Sequence, residues 1–226
     1  MANPKPMTRR DLLHLGAVGG IGVAGGRLLP DPAPDSNDCA TPTQTSGPFY
    51  PRRKPADGDL DLTVVAGHAE RAQGEVVTVG GQVLDGDLRP VAGALVEIWQ
   101  ANTHGRYHHE ADPNPAPEDP AFEGFGEVRT DAEGRYRFRT IIPGAYPADE
   151  AAGWWRPPHI HIKVAKRGYH ELITQMYFHG HALNDVDRVL NGIPEDERGR
   201  VVVAFAEGDE PGVKHGTFTI VLQKVA

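Results

Sequence analysis

Short β-strand patterns recur along this chain, and they restrict its fold more than any other feature of the sequence. Seven segments are rich in β-branched or aromatic residues and are separated by glycine, proline or aspartate turns. They cover residues 76–84, 94–100, 136–140, 159–165, 171–178, 200–205 and 217–222. No stretch shows long helical periodicity, although residues 185–190 could form a short helix. The spacing predicts an all-β domain, an antiparallel β-sandwich.

One of these segments begins with two histidines on alternate residues. His159 and His161 follow the run Trp-Trp-Arg-Pro-Pro. Because residues i and i+2 of a strand point to the same face, both imidazoles can approach one ion while Ile160 and Ile162 face the opposite side. The pattern alone also allows two hydrogen-bonded strand histidines that bind no metal.

Two tyrosines upstream have unusual surroundings. Tyr107 follows Gly-Arg, and Tyr146 lies in a predicted loop that Pro143 and Pro147 stiffen. Taken alone, each tyrosine also fits a half-buried packing role. Together with two neutral imidazoles, two phenolates would give a metal site two negative charges, which suits a hard trivalent ion such as Fe(III) better than zinc.

A long loop rich in proline comes shortly after Tyr107. It covers residues 110–126 and contains four prolines. Loops of this length inside a compact domain are usually functional or cover another part of the protein. We therefore expect this loop to wrap one side of the site.

Several motifs occur in the same order as in one known family. They are Gly-Gly-Gln-Val-Leu-Asp (80–85), Val-Glu-Ile-Trp-Gln-Ala-Asn (96–102), Gly-Arg-Tyr (105–107), Arg-Thr-Asp (129–131), Gly-Arg-Tyr (134–136), Pro-Gly-Ala-Tyr-Pro (143–147), Trp-Arg-Pro-Pro-His-Ile-His (155–161) and Ile-Thr-Gln-Met-Tyr-Phe (173–178). From about residue 43 to its C-terminus, the chain resembles the intradiol ring-cleaving dioxygenases, in particular the beta chains of the protocatechuate 3,4-dioxygenases. This resemblance implies a prealbumin-like β-sandwich with long loops around a metal site.

The resemblance also implies a ligand set for Fe(III). The residues at the family's ligand positions are Tyr107, Tyr146, His159 and His161. By the same resemblance, Tyr107 and His159 are equatorial, Tyr146 and His161 are axial, and a hydroxide is the fifth ligand. Tyr146 would be the ligand that leaves when a catechol binds, and it would help to take the catechol's proton.

Two further residues match catalytic positions of the family. Arg156 would lie against the bound ring and stabilise negative charge on the attacked carbon, an effect of about 2–4 kcal/mol in comparable sites. Gln175 would form a hydrogen bond in the same pocket. The sequence leaves open that Arg156 is instead a surface residue stacked on Trp154 or Trp155.

Together with these residues, the resemblance implies an enzyme that uses O2 to cleave a catechol-type ring between its two hydroxylated carbons. The 13 residues from Tyr146 to His159 match protocatechuate-type chains, which favours conversion of protocatechuate to 3-carboxy-cis,cis-muconate. Ala148 stands where those chains have a pocket tryptophan, so catechol or another substituted catechol remains an alternative. A non-catalytic prealbumin-like binding module is a further alternative, but such a module has no need of the two tyrosines and two histidines.

The N-terminus predicts export. Residues 1–30 carry Arg9-Arg10 before a weakly apolar run with six glycines, typical of a twin-arginine signal and too polar for a stable membrane anchor. We expect residues 31–40 to be a proline-rich linker and residues 41–226 to form the catalytic β-sandwich that the resemblance implies. We therefore expect a periplasmic or extracellular protein.

Charge and cysteine content restrict the partners. Residues 1–30 hold four basic residues and one acidic residue, which leaves 19 basic and 30 acidic residues and a net charge of −11 in the rest. This acidity disfavours nucleic acid and anionic membranes. The single cysteine, Cys39, cannot form an internal disulfide. The expected partners are a small aromatic diol, O2, and either further copies of the chain or a similar alpha chain.

Overall fold

The computed structural model describes residues 39–52, 54 and 60–225. The predicted export signal (1–30) and all but the last two residues of the predicted linker (31–40) lie outside the described residues and stay predictions. Across the described ranges, no helix is long and apolar enough to span a membrane.

Strands dominate the described part of the chain. They are β1 (Val76–Asp85), β2 (Leu95–Trp99), β3 (Phe125–Arg129), β4 (Arg135–Ile141), β5 (Tyr146–Asp149), β6 (Trp154–Arg156), β7 (His159–Ala165), β8 (Leu172–Phe178), β9 (Val202–Val203), β10 (Phe205–Glu207), β11 (Lys214–Thr217) and β12 (Ile220–Leu222). Short 3₁₀ helices lie at Ala182–Asp185, Leu190–Gly192 and Arg198–Arg200. The single short helix predicted over 185–190 is wrong, because that stretch is divided between the first two of these turns.

Two five-stranded sheets confirm the predicted β-sandwich. In the first sheet β1 is the central strand. It pairs with β4, β11 and β12, and β10 pairs with β11. The second sheet has the order β3-β2-β7-β8-β9, and β5 and β6 form a separate hairpin. Both sheets are mixed rather than purely antiparallel, since β11 and β12 run parallel to β1 and β9 runs parallel to β8. Alternation in a sequence predicts which face a residue occupies but not the direction of the neighbouring strand.

The apolar core lies between the two sheets. Val79 and Phe138 come from the first sheet, and Ile98, Ile160 and Met176 come from the second. All five side chains are at most 1% exposed. On β7, the even-numbered residues therefore face the core, and the odd-numbered residues must project from the outer face of the second sheet.

This outer face carries a row of aromatic and polar side chains. His161 is paired across the sheet with Trp99 on β2 and with Gln175 on β8, and His159 is paired with Tyr177. These five side chains are 0–2% exposed, although they face away from the core. The N-terminal segment covers them in part, because Gln44 donates its backbone N–H to Ile173 of β8.

Five strands, namely β3, β5, β6, β10 and β11, were not predicted as separate elements, and one of them corrects the setting of a site residue. Tyr146 was expected in a loop, whereas it begins β5 and is paired with Arg156 of β6. Pro147 concealed this strand, because proline within a short segment argues against a strand. Another missed strand, β3, contains Gly126 and Glu127 and so lacks an apolar alternation. The β5–β6 hairpin therefore ties Tyr146 to Arg156 through the backbone.

Candidate metal centre

The structure brings the four predicted ligand side chains together. The hydroxyl oxygens of Tyr107 and Tyr146 lie 3.4 and 3.5 Å from Nε2 of His159. The ring centroids of His159 and His161 are 4.9 Å apart, and those of Tyr107 and His161 are 6.2 Å apart. All four residues are buried, with exposures of 2–8%. Side chains separated by up to 54 residues in the sequence thus converge on one point.

The histidines are in the state that a metal ligand requires. Nδ1 of His159 lies 2.7 Å from the carbonyl oxygen of Pro157, an arrangement that places the proton on Nδ1 and leaves the lone pair of Nε2 facing the two phenols. Burial, followed by the charge of Arg156, lowers the pKa of His159 well below its usual value. The same two causes lower the pKa of His161 to about 3. Both imidazoles are therefore neutral at physiological pH.

The two phenols are protonated in the absence of a cation. Burial raises the pKa of Tyr107 well above its usual value, and the adjacent Tyr146 raises it further. Burial also raises the pKa of Tyr146, although the charge of Arg156 acts in the opposite direction. A bound cation would reverse this balance, because metal coordination ionises weakly acidic ligands.

Stacking and glycine contacts fix the positions of these rings. The indole of Trp99 lies parallel to His161, with a centroid distance of 4.9 Å and an interplanar angle of 5°. A Cβ atom on Gly144 would lie 2.5 Å from the backbone nitrogen of Gly105, and one on Gly105 would lie 2.4 Å from the oxygen of Ala145. Glycine at both positions therefore lets the two tyrosine-bearing segments touch backbone to backbone.

Arg156 is a buried residue of the site and not a surface residue. Its Nε donates to Asp187 at 2.8 Å, and its Nη2 donates to Gln175 at 2.6 Å and to the Tyr177 hydroxyl at 3.3 Å. Burial lowers the pKa of Arg156, but Tyr146, Tyr177 and Asp187 raise it and the net shift is upward. The guanidinium is therefore charged. The alternative of stacking on tryptophan applies to another residue, since it is Arg188 that lies over the ring of Trp154.

Gln175 links this arginine to the N-terminal segment. Its Oε1 accepts from Arg156 and from the Tyr177 hydroxyl, and its Nε2 donates to the carbonyl oxygen of Thr45 at 2.9 Å. The side-chain oxygen of Gln44 accepts the backbone N–H of Gln175. Gln175 is fully buried, so these bonds satisfy polar atoms that would otherwise be costly to bury.

Sequence reasoning missed Asp187. This carboxylate is fully buried, accepts from Arg156 and Trp154 through Oδ1, and accepts the backbone N–H of Leu190 through Oδ2. It lies between two 3₁₀ turns in a segment with no regular pattern, 31 residues after Arg156. An aspartate in a short segment that also contains two valines and a leucine was the available signal, but its partner could not be read from the sequence.

A cavity of about 590 Å³ opens beside Tyr146 and Arg156. Its lining also includes Thr45, Gly47, Pro48, Phe49, Asp112, Pro113, Asn114, Pro115, Pro147, Ala148, Glu150, Trp154 and Val189. Residues of the proline-rich loop thus form one wall, as predicted. This is a concave space of the size that small ligands occupy in proteins.

Two further histidines of the described residues, His181 and His109, have other contacts. His181 accepts the backbone N–H of Leu183 and so caps a 3₁₀ turn. His109 contacts the ring of Phe49, which in turn packs against Tyr107. In the part of the chain that the structure describes, no group of three or more histidine, cysteine, aspartate and glutamate side chains could hold a metal ion. The two central histidines are instead accompanied by two phenols.

A β-sandwich with two buried imidazoles and two buried phenols around one point defines a candidate non-haem metal protein. Comparison with known proteins agrees with this class. A family model described as "Dioxygenase" matches residues 45–224, and the chain belongs to this family, the intradiol dioxygenases. The resemblance stated from the sequence motifs is therefore confirmed.

Individual relatives support the same assignment. The protocatechuate 3,4-dioxygenase beta chain of Burkholderia cepacia is 47% identical over 149 residues, which cover 66% of this chain and 63% of that protein. This chain thus matches less than two thirds of that relative's length. The alpha chain from the same organism is 36% identical over 177 residues, which cover 72% of this chain and 82% of that protein.

A solved structure with a similar fold is the dioxygenase domain of a dioxygenase and carbohydrate-binding protein fusion from Streptomyces sp. SirexAA-E. It superposes with a TM-score of 0.61 at 29% identity. The match covers 82% of this chain and 99% of that domain. The overall fold is therefore shared along almost the entire solved domain.

Proposed function

We propose that this chain is a non-haem Fe(III) dioxygenase that cleaves an ortho-diphenol ring between its two hydroxylated carbons. Both atoms of O2 would enter the product, which for catechol is an open-chain dicarboxylic acid. The observation that carries the proposal is the convergence of Tyr107, Tyr146, His159 and His161, with phenol oxygens 3.4 and 3.5 Å from one imidazole nitrogen. Membership of the intradiol dioxygenase family supports the same reaction.

The donor set fits Fe(III). Two imidazoles held neutral by burial and two phenols supply nitrogen and oxygen donors without a thiolate. We infer that Tyr107, Tyr146, His159 and His161 would hold the ion. When bound, Fe(III) would act as a Lewis acid that orients and polarises the diphenol.

Tyr146 is the residue that we assign to proton transfer. Of the two phenols, only Tyr146 lines the cavity, so its oxygen is the one that an entering diphenol meets. With a cation held at the site the Tyr146 phenol would be ionised, and its oxygen would then take a proton from a substrate hydroxyl as the substrate binds. The β5–β6 pairing would keep the backbone in place while the phenol moves.

Arg156 and Gln175 are assigned to stabilisation of charge on the substrate ring. Nε and Nη2 of Arg156 are bonded within the protein, and among the described residues no hydrogen bond engages Nη1. Arg156 also lines the cavity, so Nη1 is the donor available to the ring. Gln175 would hold the guanidinium in that orientation. Such fixed donors contribute about 2–4 kcal/mol where charge develops.

Two substrate candidates follow. Protocatechuate, which would give 3-carboxy-cis,cis-muconate, is supported by the 47% identity with the beta chain. A catechol without a carboxylate is supported by the charge of the cavity lining, in which Asp112 and Glu150 accompany Arg156. Oxygen uptake with a panel of catechols that carry or lack a carboxylate separates the two candidates.

We also propose association with a similar chain and export. The 36% identity with an alpha chain supports pairing with an alpha-type partner or with another copy of this chain. Light scattering on the purified protein, alone and with such a partner, tests this. Arg9-Arg10 and the glycine-rich run support twin-arginine export, which replacement of both arginines by lysine should block.

Colour and iron content test the metal proposal. Iron-loaded protein should be burgundy, because charge transfer from phenolate to Fe(III) absorbs visible light. Tyr146→Phe should keep iron, weaken this absorption and slow substrate binding, whereas Tyr169→Phe, which changes a phenol outside the site, should alter none of these. Colourless protein with one iron per chain would contradict the phenolate ligands.

A further inference from the structure

The cavity beside the candidate metal centre has an unusual balance of charge. Its charged lining residues, among those that the structure describes, are Arg156, Asp112 and Glu150. Asp112 is fixed by the backbone N–H groups of Tyr107 and Asn114, at 2.6 and 2.9 Å. Glu150 is exposed at the rim. Two carboxylates thus border the space where a ring substituent would project.

The single cation in this set is already compensated. Arg156 is 5% exposed and forms an ion pair at 2.8 Å with Asp187, which is fully buried. A buried pair of this kind carries no net charge, and three of the five guanidinium N–H groups are engaged by Asp187, Gln175 and Tyr177. The two N–H groups left on Nη1 are those assigned above to the ring, so a carboxylate on a ring substituent would find no further cation among the described lining residues.

The cavity is also larger than an unsubstituted diphenol requires. Its volume of about 590 Å³ is roughly four times that of a 150 Å³ cavity that holds benzene. The wall beyond Tyr146 is formed by Pro147 and Ala148, and Ala148 offers only a methyl group. Ala148 and Glu150 are both exposed, so this part of the lining belongs to the rim of the cavity.

From these three observations we infer that the site takes an ortho-diphenol whose ring substituent is uncharged and larger than a carboxyl group. The inference rests on the proposed dioxygenase function and specifies its substrate class. The aromatic ring would occupy the inner end of the cavity beside Tyr146 and Arg156, and the substituent would extend past Ala148. Glu150 and Asp112 would repel an anionic substituent at that place.

Two substrate pairs separate charge from size. Protocatechuate and its methyl ester share a ring but differ in charge, and 4-methylcatechol and 4-phenylcatechol differ in substituent size. With iron-loaded protein, we expect kcat/KM from oxygen uptake to be at least tenfold higher for the ester than for the acid. The phenyl compound should be cleaved at least as efficiently as the methyl compound.

Variants of two lining residues connect these preferences to the structure. Glu150→Lys should raise the ratio of kcat/KM for the acid over the ester at least about fivefold. Glu207→Lys, at an exposed position of β10 in the other sheet, should leave the ratio within twofold. Ala148→Trp should lower kcat/KM for 4-phenylcatechol at least tenfold relative to catechol, because the indole would fill the space proposed for the substituent.

Anaerobic calorimetry supplies a readout that does not depend on turnover. The ester should bind at least tenfold more tightly than the acid. Tighter binding and faster cleavage of protocatechuate, unaffected by Glu150→Lys, would overturn the inference while leaving the proposed reaction intact. If the protein cleaves none of the tested catechols, the proposed reaction is refuted. The calorimetric comparison of acid and ester would still decide the charge preference.

Discussion

The two faces of strand β7 have different tasks although they share one backbone. The even-numbered residues Ile160 and Ile162 face the interior between the sheets and are fully buried. The odd-numbered His159 and His161 face outward and are 2% exposed. Burial on the inner face stabilises the fold by removing apolar surface from water. On the outer face burial instead changes the chemistry of the side chains, since it lowers the pKa of both imidazoles.

This comparison shows how a sandwich can carry a reactive site without weakening its core. The stability that the inner face contributes depends on side-chain volume and close packing, so its residues can be exchanged for apolar residues of similar shape. The outer face depends on the identity of donor atoms and on the segments that cover them. Substitutions on the two faces of one strand should therefore produce separable defects, in stability on one side and in metal binding on the other.

The largest effect is expected on the outer face. His159→Ala removes the imidazole whose Nε2 faces both phenols, so iron affinity should fall at least a hundredfold and the burgundy colour should disappear. Metal analysis after dialysis against a chelator measures this. His215→Ala is the matched control, since His215 lies on β11 of the other sheet and contacts Thr78. Full retention of iron by His159→Ala would remove His159 from the ligand set.

The next effect tests the inner face of the same strand. Ile160→Ala leaves a cavity at a fully buried position and should lower the free energy of unfolding by about 2–5 kcal/mol. Urea unfolding measures the loss, and the folded variant should still bind one iron per chain. Val186→Ala, at a side chain that is 65% exposed, should change stability by less than about 0.5 kcal/mol. Loss of iron without loss of stability in Ile160→Ala would refute the division between the faces.

The same division explains what could be predicted from the sequence. Alternation along 159–165 placed Ile160 in the core and the two histidines together on the other face, and motif order indicated both tyrosines and Arg156. Local patterns report faces and residue types. They do not report which distant strands pair, so the parallel pairing of β11 and β12 with β1 was missed.

Contacts between distant segments were also beyond sequence reasoning. Asp187 has no periodic pattern around it and gains its role only through contact with Arg156, 31 residues away. The hairpin that carries Tyr146 was hidden by Pro147, because propensity weighs against a strand that the tertiary structure nevertheless forms. Propensity is a weak guide wherever long-range contacts decide the conformation.

An intermediate effect is expected for Asp187, which forms the buried ion pair with Arg156. Asp187→Asn keeps the shape of the side chain but removes the charge that holds the guanidinium, so kcat should fall about 10- to 100-fold. KM should change less, and iron content and colour should be unaffected, because Asp187 contacts none of the four proposed ligands directly. Asp185→Asn, at an exposed position two residues away, should leave kcat within twofold. A parallel loss of iron in Asp187→Asn would indicate a general structural role instead.

The smallest effect concerns strand β2, where the comparison of faces can be repeated. Trp99 stacks on His161, and an aromatic pair contributes about 0.5–1.5 kcal/mol beyond area burial. Trp99→Leu keeps an apolar side chain but loses the stack, so the rate of iron loss to a chelator should rise about threefold to tenfold. Ile98→Val, on the inner face of β2, should lower stability by about 0.5–1.5 kcal/mol and leave that rate unchanged. Equal rates in the two variants would mean that covering segments, and not the neighbouring strand, hold the imidazole in place.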